Sequence, residues 1–159
     1  LIIRRATGED VNFLTEVFNH PDMWRWLGDD NTPPLVSINL QILLDSPVFS
    51  ILIPDKIGFF MFHPWNSTTF EMHSAVLPAY RGKPAMEGAR LAGHWMFDNT
   101  TCRKIVTLVP RSNIRARFLA RKGGMHEEGL ITRSFLKDGQ MIDQYLYGIC
   151  KEEVAHGIR

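Results

Sequence analysis

A chain of 159 residues, 45% hydrophobic and with a formal charge of +1, has the size of one domain and enough apolar material to bury a core without covalent staples. Its two cysteines, Cys102 and Cys150, fall in no CxxC or Cys/His pattern, which argues against a disulfide framework and against a zinc site. No apolar run approaches the roughly 20 residues that span a bilayer, and no signal-peptide layout opens the chain, so a reducing cytoplasmic setting without a membrane partner is expected.

The elements follow in chain order. Leu1 to Arg5 reads as a short strand, and Thr7-Gly8-Glu9-Asp10 has the form of a capping box ahead of the apolar positions Val11, Leu14, Val17 and Phe18. His20-Pro21-Asp22 interrupts, and Met23, Trp24, Trp26 and Leu27 suggest a short helix ending near Gly28. After Pro33-Pro34 a further helix is expected over 35–44. Pro47 then opens a strand over 48–53, and Pro54-Asp55-Lys56 turns it into a partner over 57–62. His63-Pro64-Trp65 and the phenylalanines Phe59, Phe60 and Phe62 are assigned to the core.

Thr68 to Leu77 is an extended segment ended by Pro78, with Glu71, His73 and Ala75 on one face and Met72, Ser74 and Val76 on the other. Helical spacing follows over 84–99. A buried-strand pattern covers Ile105 to Val109, Ser112 is expected to cap a helix carrying Ile114, Phe118 and Leu119, and Gly123-Gly124 ends it. Two last strands, near 129–136 and 141–149, flank the turn Lys137-Asp138-Gly139-Gln140. Residues 1–150 make one domain and 151–159 a polar, frayed tail. The order predicts an α/β or α+β domain with a mixed sheet.

Charge is unevenly spread. Between Arg81 and Lys122 ten Lys or Arg stand against Glu87 and Asp98, an excess of +8, whereas the other 8 basic and 15 acidic residues leave −7. Such a split points to an anionic partner, or only to solvated helix faces. The stretch AVLPAYRGKPAMEGARL, residues 75–91, offers a reason for it. A turn entering a helix presents unpaired N–H groups and a partial positive charge, on which a diphosphate can settle; Arg81 and Lys83 add full charges. Pro84 removes one donor at a place where the helix tolerates proline, and Met86 is large for a close phosphate approach.

That stretch, together with IIRRATGEDV at 2–11, NIRARFLARKGGMHEEG at 113–129 and DQYLYGI at 143–149, resembles the GNAT superfamily of acyl-CoA-dependent N-acyltransferases. The likeness spans nearly the whole chain and is nearest to the ribosomal-protein N-terminal acetyltransferase branch. It implies a mixed, mostly antiparallel sheet of about six to seven strands with helices on both faces, splayed between the strand ending near Val76 and the strand 105–109. Acetyl-CoA is the implied co-substrate, and no metal is expected. Its arm would pair with the backbone of Ser74, Ala75 and Val76, its pyrophosphate would lie on Arg81, Gly82, Lys83, Pro84, Ala85 and Met86, and Asn113 matches the family's pantetheine-contacting asparagine. A local capping role for Asn113 fits its position equally well.

Acyl transfer to an amine needs a base for the amine, donors for an oxyanion and a leaving thiolate. Glu71 and His73 are the candidates for the base, and either also fits an ordinary sheet position. The oxyanion donor would be a backbone N–H near Ala75 or Val76. Where many relatives carry a tyrosine to protonate the thiolate, seven residues after the asparagine, this chain has Ala120. Asp22, Asp29 and Asp30 with Trp24 and Trp26 are candidates for an acidic, aromatic rim attractive to a cationic amine. His20, His94, His126 and His156 have no metal-ligand spacing.

The resemblance implies an N-acetyltransferase acting on a primary amine of a small molecule, peptide or protein N-terminus. The alternative is a non-catalytic protein on the same fold, and a faint likeness of FEMHSAVLPAYRGK to acetyltransferase-like phage proteins leaves virion assembly open. Nucleic-acid binding is disfavoured, because the basic segment lacks interleaved exposed aromatics. A homodimer stays open.

Overall fold

Arg4 and Asp10 fix how the chain begins. In the computed structural model, which describes residues 1–155, the Arg4 guanidinium of strand β1 (Ile3–Arg5) bonds both Asp10 oxygens, at 2.7 and 2.6 Å. Asp10 also accepts the Thr7 N–H at 2.9 Å, as the capping pattern requires. A 3-10 turn over Gly8–Asp10 leads into α1 (Val11–Asn19), which buries Leu14, Val17 and Phe18. His20 then caps α2 (Pro21–Leu27): its Nδ1 accepts the Asp22 N–H at 3.2 Å, and Pro21 takes a first-turn place that needs no N–H. Helix α3 (Ser37–Asp45) follows.

Next come β2 (Ser50–Pro54), β3 (Gly58–Pro64) and β4 (Thr69–Val76), each antiparallel to the one before, and then the long α4 (Lys83–Asn99). Strand β5 (Lys104–Pro110), α5 (Ile114–Lys122), β6 (His126–Lys137), β7 (Gln140–Cys150) and a short α6 (Lys151–Ala155) complete the chain. The seven strands lie in the order β1-β2-β3-β4-β5-β7-β6, and only β4 and β5 are parallel. The hairpin between β6 and β7 turns on Asp138 (φ 51°) and Gly139 (φ 73°), the positive-φ pair that a two-residue loop requires.

Strand alternation divides the interior into two layers. Ile51, Ile53, Phe59 and Ala75 face α1, α2 and α3, while Leu52, Phe60, Phe62 and Val76 face α4 and α5 with Ala85, Ala92, Met96 and Ala120. Gly88 allows α4 to lie close on the sheet, since a Cβ there would come within 3.0 Å of Pro54 and 3.1 Å of Phe60. Both cysteines are free thiols, and burial pushes Cys102 up to about 11, which leaves it inert.

Three expectations need correction. Asn113, not Ser112, caps α5, its side-chain oxygen accepting the Ala116 N–H at 3.2 Å. His63 and Trp65 do not belong to the core, being half-buried and exposed. Residues 151–155 of the expected frayed tail are helical, tied by the Lys151 N–H to the Arg103 carbonyl at 2.8 Å; residues 156–159, with His156, lie outside the described residues.

Candidate active site

Strands β4 and β5 pair at Thr69 with Lys104, Phe70 with Ile105 and Glu71 with Val106, and then part. Both continue for several residues, to Val76 and Pro110. The Thr68 carbonyl accepts N–H groups from Arg103 and Lys104, at 2.8 and 3.1 Å, whereas the Leu77 N–H turns the other way to the Ile57 carbonyl at 2.9 Å. Because backbone groups alternate along a strand, those of Met72, Ser74 and Val76 face the gap and those of His73 and Ala75 face β3. The gap widens into a cleft of about 900 Å³, walled by Met72 to Ser74, Val76 and α4 on one side and by Thr107 to Pro110 and α5 on the other.

The phosphate-type turn stands at one end of this cleft. Gly82 precedes α4 with φ 85° and ψ −129°, a conformation that glycine adopts without strain, and a Cβ there would meet nothing within 4 Å. Helix α4 starts at Lys83, so Pro84 lies in the first turn, and the N–H it lacks is one the helix would leave unpaired. Met86 forms part of the wall beside Ala85, and the cleft keeps its volume around it. Of the residues expected at the cofactor, Ser74, Val76, Arg81, Gly82, Ala85, Met86 and Asn113 border the cleft, while Ala75, Lys83 and Pro84 do not. Ala75 is fully buried against the α1 layer, and its N–H faces β3, which takes it out of consideration as an oxyanion donor and leaves Val76.

Glu71 and His73 come together with two residues from the preceding hairpin arm. In the register of β3 and β4, His63 is opposite Glu71 and Met61 is opposite His73. His63 Nε2 and His73 Nε2 are 3.0 Å apart, and each is 3.6 Å from a Glu71 oxygen. The Trp65 indole N–H donates to Glu71 Oε2 at 2.8 Å, which fixes the carboxylate. Burial pushes the His73 pKa down, Glu71 opposes that shift and His63 adds to it, so His73 is neutral at neutral pH and able to accept a proton. His73 borders the cleft; Glu71 is buried behind it.

Residues 50–159, from β2 to the C-terminus, match the family described as Protein of unknown function (DUF2824). The chain belongs to that family. Among curated relatives it is 24% identical over 101 residues to protein p31 of Acyrthosiphon pisum secondary endosymbiont phage 1, a match that covers 64% of this chain and 65% of p31. Among solved structures, spermidine N-acetyltransferase from Vibrio cholerae, in complex with CoA and spermine, superposes with a TM-score of 0.82 at 19% identity over 97% of both chains. Ribosomal-protein-S5-alanine acetyltransferase from Vibrio fischeri gives 0.77 at 15% identity over 94% of this chain and 92% of its own. The fold of this DUF2824 protein is therefore that of the GNAT acetyltransferases, with the splay and the glycine-led helix in the places the resemblance predicted.

The acidic rim of the DUF2824 chain is used up internally. Asp22 pairs with Arg81 at 3.0 Å, Asp29 holds Thr32 and the Asn31 N–H at 2.7 and 3.0 Å, and Asp30 grips the N–H groups of Asp138 and Gly139 at 3.0 and 2.7 Å. These carboxylates organise loops and are not free to receive an amine. Several basic groups are likewise engaged: Arg121 with Glu127 at 2.7 Å, Lys104 with Glu128 at 2.8 Å, and Arg117 against the Tyr145 ring. Arg90, which sequence reasoning did not place at the cofactor, borders the cleft with Arg81 and Arg115. His63 and Trp65 were also missed, although the hairpin pairing of β3 and β4 is a signal that brings His63 opposite Glu71. Ala120, at the position of the family's tyrosine, is buried, and among the described residues lining the cleft there is no tyrosine.

Proposed function

We propose that this protein transfers an acetyl group from acetyl-CoA to a primary amine. The observation that carries the reading is the parting of β4 and β5, which leaves the backbone of Met72, Ser74 and Val76 unpaired beside the Gly82-led start of α4. A pantetheine arm satisfies those groups as an added strand, and its pyrophosphate meets the helix N-terminus and Arg81. In the transfer, the amine nitrogen bonds to the thioester carbon and the Val76 N–H stabilises the oxyanion. His73, backed by the Glu71 carboxylate, takes the amine proton. The C–S bond then breaks, and the thiolate takes a proton from water, in place of the tyrosine that Ala120 replaces, while His73 returns the amine proton to water, so no net proton is gained or lost.

The relatives' acceptors, a polyamine for one and a ribosomal-protein alanine for the other, define the panel to try first. A second reading, a non-catalytic protein of a phage particle, is favoured by Ala120 and by the phage source of p31. Titration calorimetry with CoA and acetyl-CoA, followed by thiol release with spermine and with a peptide N-terminus, separates the two. Acetyl transfer predicts binding that weakens about tenfold in Arg81→Ala. It also predicts turnover lowered about 100-fold in Glu71→Gln with affinity for acetyl-CoA kept. No binding at millimolar CoA overturns the enzyme reading.

A further inference from the structure

The three convergent side chains of β3 and β4 fit a task separate from proton transfer. A tetrahedral zinc-class ion holds imidazole nitrogens at about 2.0–2.1 Å and carboxylate oxygens at about 2.0–2.2 Å, which sets its ligand atoms roughly 3.4 Å from one another. Here the two Nε2 atoms are 3.0 Å apart, His73 Nε2 is 3.6 Å from Glu71 Oε1, and His63 Nε2 is 3.6 Å from Glu71 Oε2, with one ligand atom from each residue within 4.8 Å of the others, so a modest rotation of the side chains brings Oε1 and both nitrogens around one point. The imidazole centroids are 5.1 Å apart, which with the 3.0 Å nitrogen contact means that the rings meet by their Nε2 corners and not by their faces.

All three groups stand on paired strands, in register, with His63 opposite Glu71. Strand residues hold ligand positions more firmly than loop residues do. The Trp65 N–H on Glu71 Oε2 supplies the outer support that orients a ligating carboxylate and leaves Oε1 for an ion. The histidine side chains are 28% and 31% exposed, enough for an ion to enter and for water to fill a fourth position.

We propose that His63, Glu71 and His73 form a binding site for one divalent transition-metal ion of the zinc class. Binding moves the proton of whichever Nε2 donates in the histidine pair to that ring's Nδ1, so both Nε2 lone pairs reach the ion and no net proton is lost. Two of these ligands are also the groups assigned above to the amine proton, and an ion on His73 Nε2 takes the lone pair that such a base needs, so the ion-bound form is one in which His73 is not the base; the site rests on geometry alone, and ion binding is read without acetyl-CoA. Its failure leaves acetyl transfer standing, and the failure of acetyl transfer leaves the metal site standing.

The test is titration of ZnCl2 and CoCl2 into the chelator-treated full chain, followed by calorimetry and by the visible absorption of Co(II). The expected result is one ion per chain with the intense absorption of tetrahedral Co(II). His63→Gln weakens binding at least tenfold and Trp65→Phe about tenfold, while His126→Ala, which removes a surface histidine, leaves it unchanged. Circular dichroism confirms the folding of each variant, and the Co(II) spectrum of the unaltered chain stands independently of any substitution. Absence of one-to-one binding, an octahedral Co(II) spectrum, or affinity undiminished in a folded His63→Gln overturns the proposal.

Discussion

Asp10 shows how one side chain sets a pH limit on this fold. Its bonds to the Arg4 guanidinium and the Thr7 N–H hold its pKa at about 2, against an ordinary 3.8. A lowered carboxylate value means that the unfolded chain binds the proton more readily, so the stabilisation is complete above about pH 4 and is lost as pH falls through 2. It amounts to about 2 kcal/mol at neutral pH. Urea unfolding should show that loss between pH 4 and 2, and Asp10→Asn should remove both the stabilisation and most of that part of the pH dependence. The Thr7 to Asp10 pattern was legible in the sequence because a capping box is local. The Arg4 partner was not, because its arrival depends on β1 joining the sheet.

The start of α4 is the element on which the candidate site turns. Gly82 holds a backbone conformation that costs a side-chain-bearing residue about 1–3 kcal/mol, while a Cβ there enters open space. Gly82→Ala should therefore lower the thermal midpoint through backbone strain alone, with core packing kept in the near-ultraviolet spectrum. CoA affinity should fall with it if phosphate uses that turn. The Arg-Gly-Lys-Pro segment was readable because glycine and proline mark backbone geometry directly. The His63 cluster was not, since assigning His63-Pro64-Trp65 to the core overlooked that the strand's face alternates through His63. The acidic rim misled for a related reason: Asp22, Asp29 and Asp30 are near one another in sequence, and each finds a different structural partner.

Across the whole molecule, the +8 segment becomes a divided population. Arg103, Lys104, Arg111 and Arg121 pair with carboxylates of the acidic remainder, and Arg90 and Arg115 gather at the cleft with Arg81, whose pair with Asp22 stands at the cleft's edge. Attraction between partly exposed guanidinium groups and a phosphorylated ligand is screened by salt. CoA affinity measured by calorimetry should fall several-fold from low salt to 0.5 M NaCl, whereas binding of a neutral pantetheine fragment should barely change. Equal salt dependence for the two would place the phosphates away from these arginines.

The sequence by itself determined the order of elements, the two-layer alternation of apolar residues, the hairpin turn at Asp138-Gly139 and the glycine-led helix, because each depends on neighbours within a few residues. The family resemblance already implied that these two strands splay; only the tertiary structure decided that β4 and β5 part after Glu71 and Val106, which arginines line the cleft, and that His63 and Trp65 join Glu71 and His73. Those outcomes depend on strand register and on which distant charges meet, quantities that local periodicity does not contain.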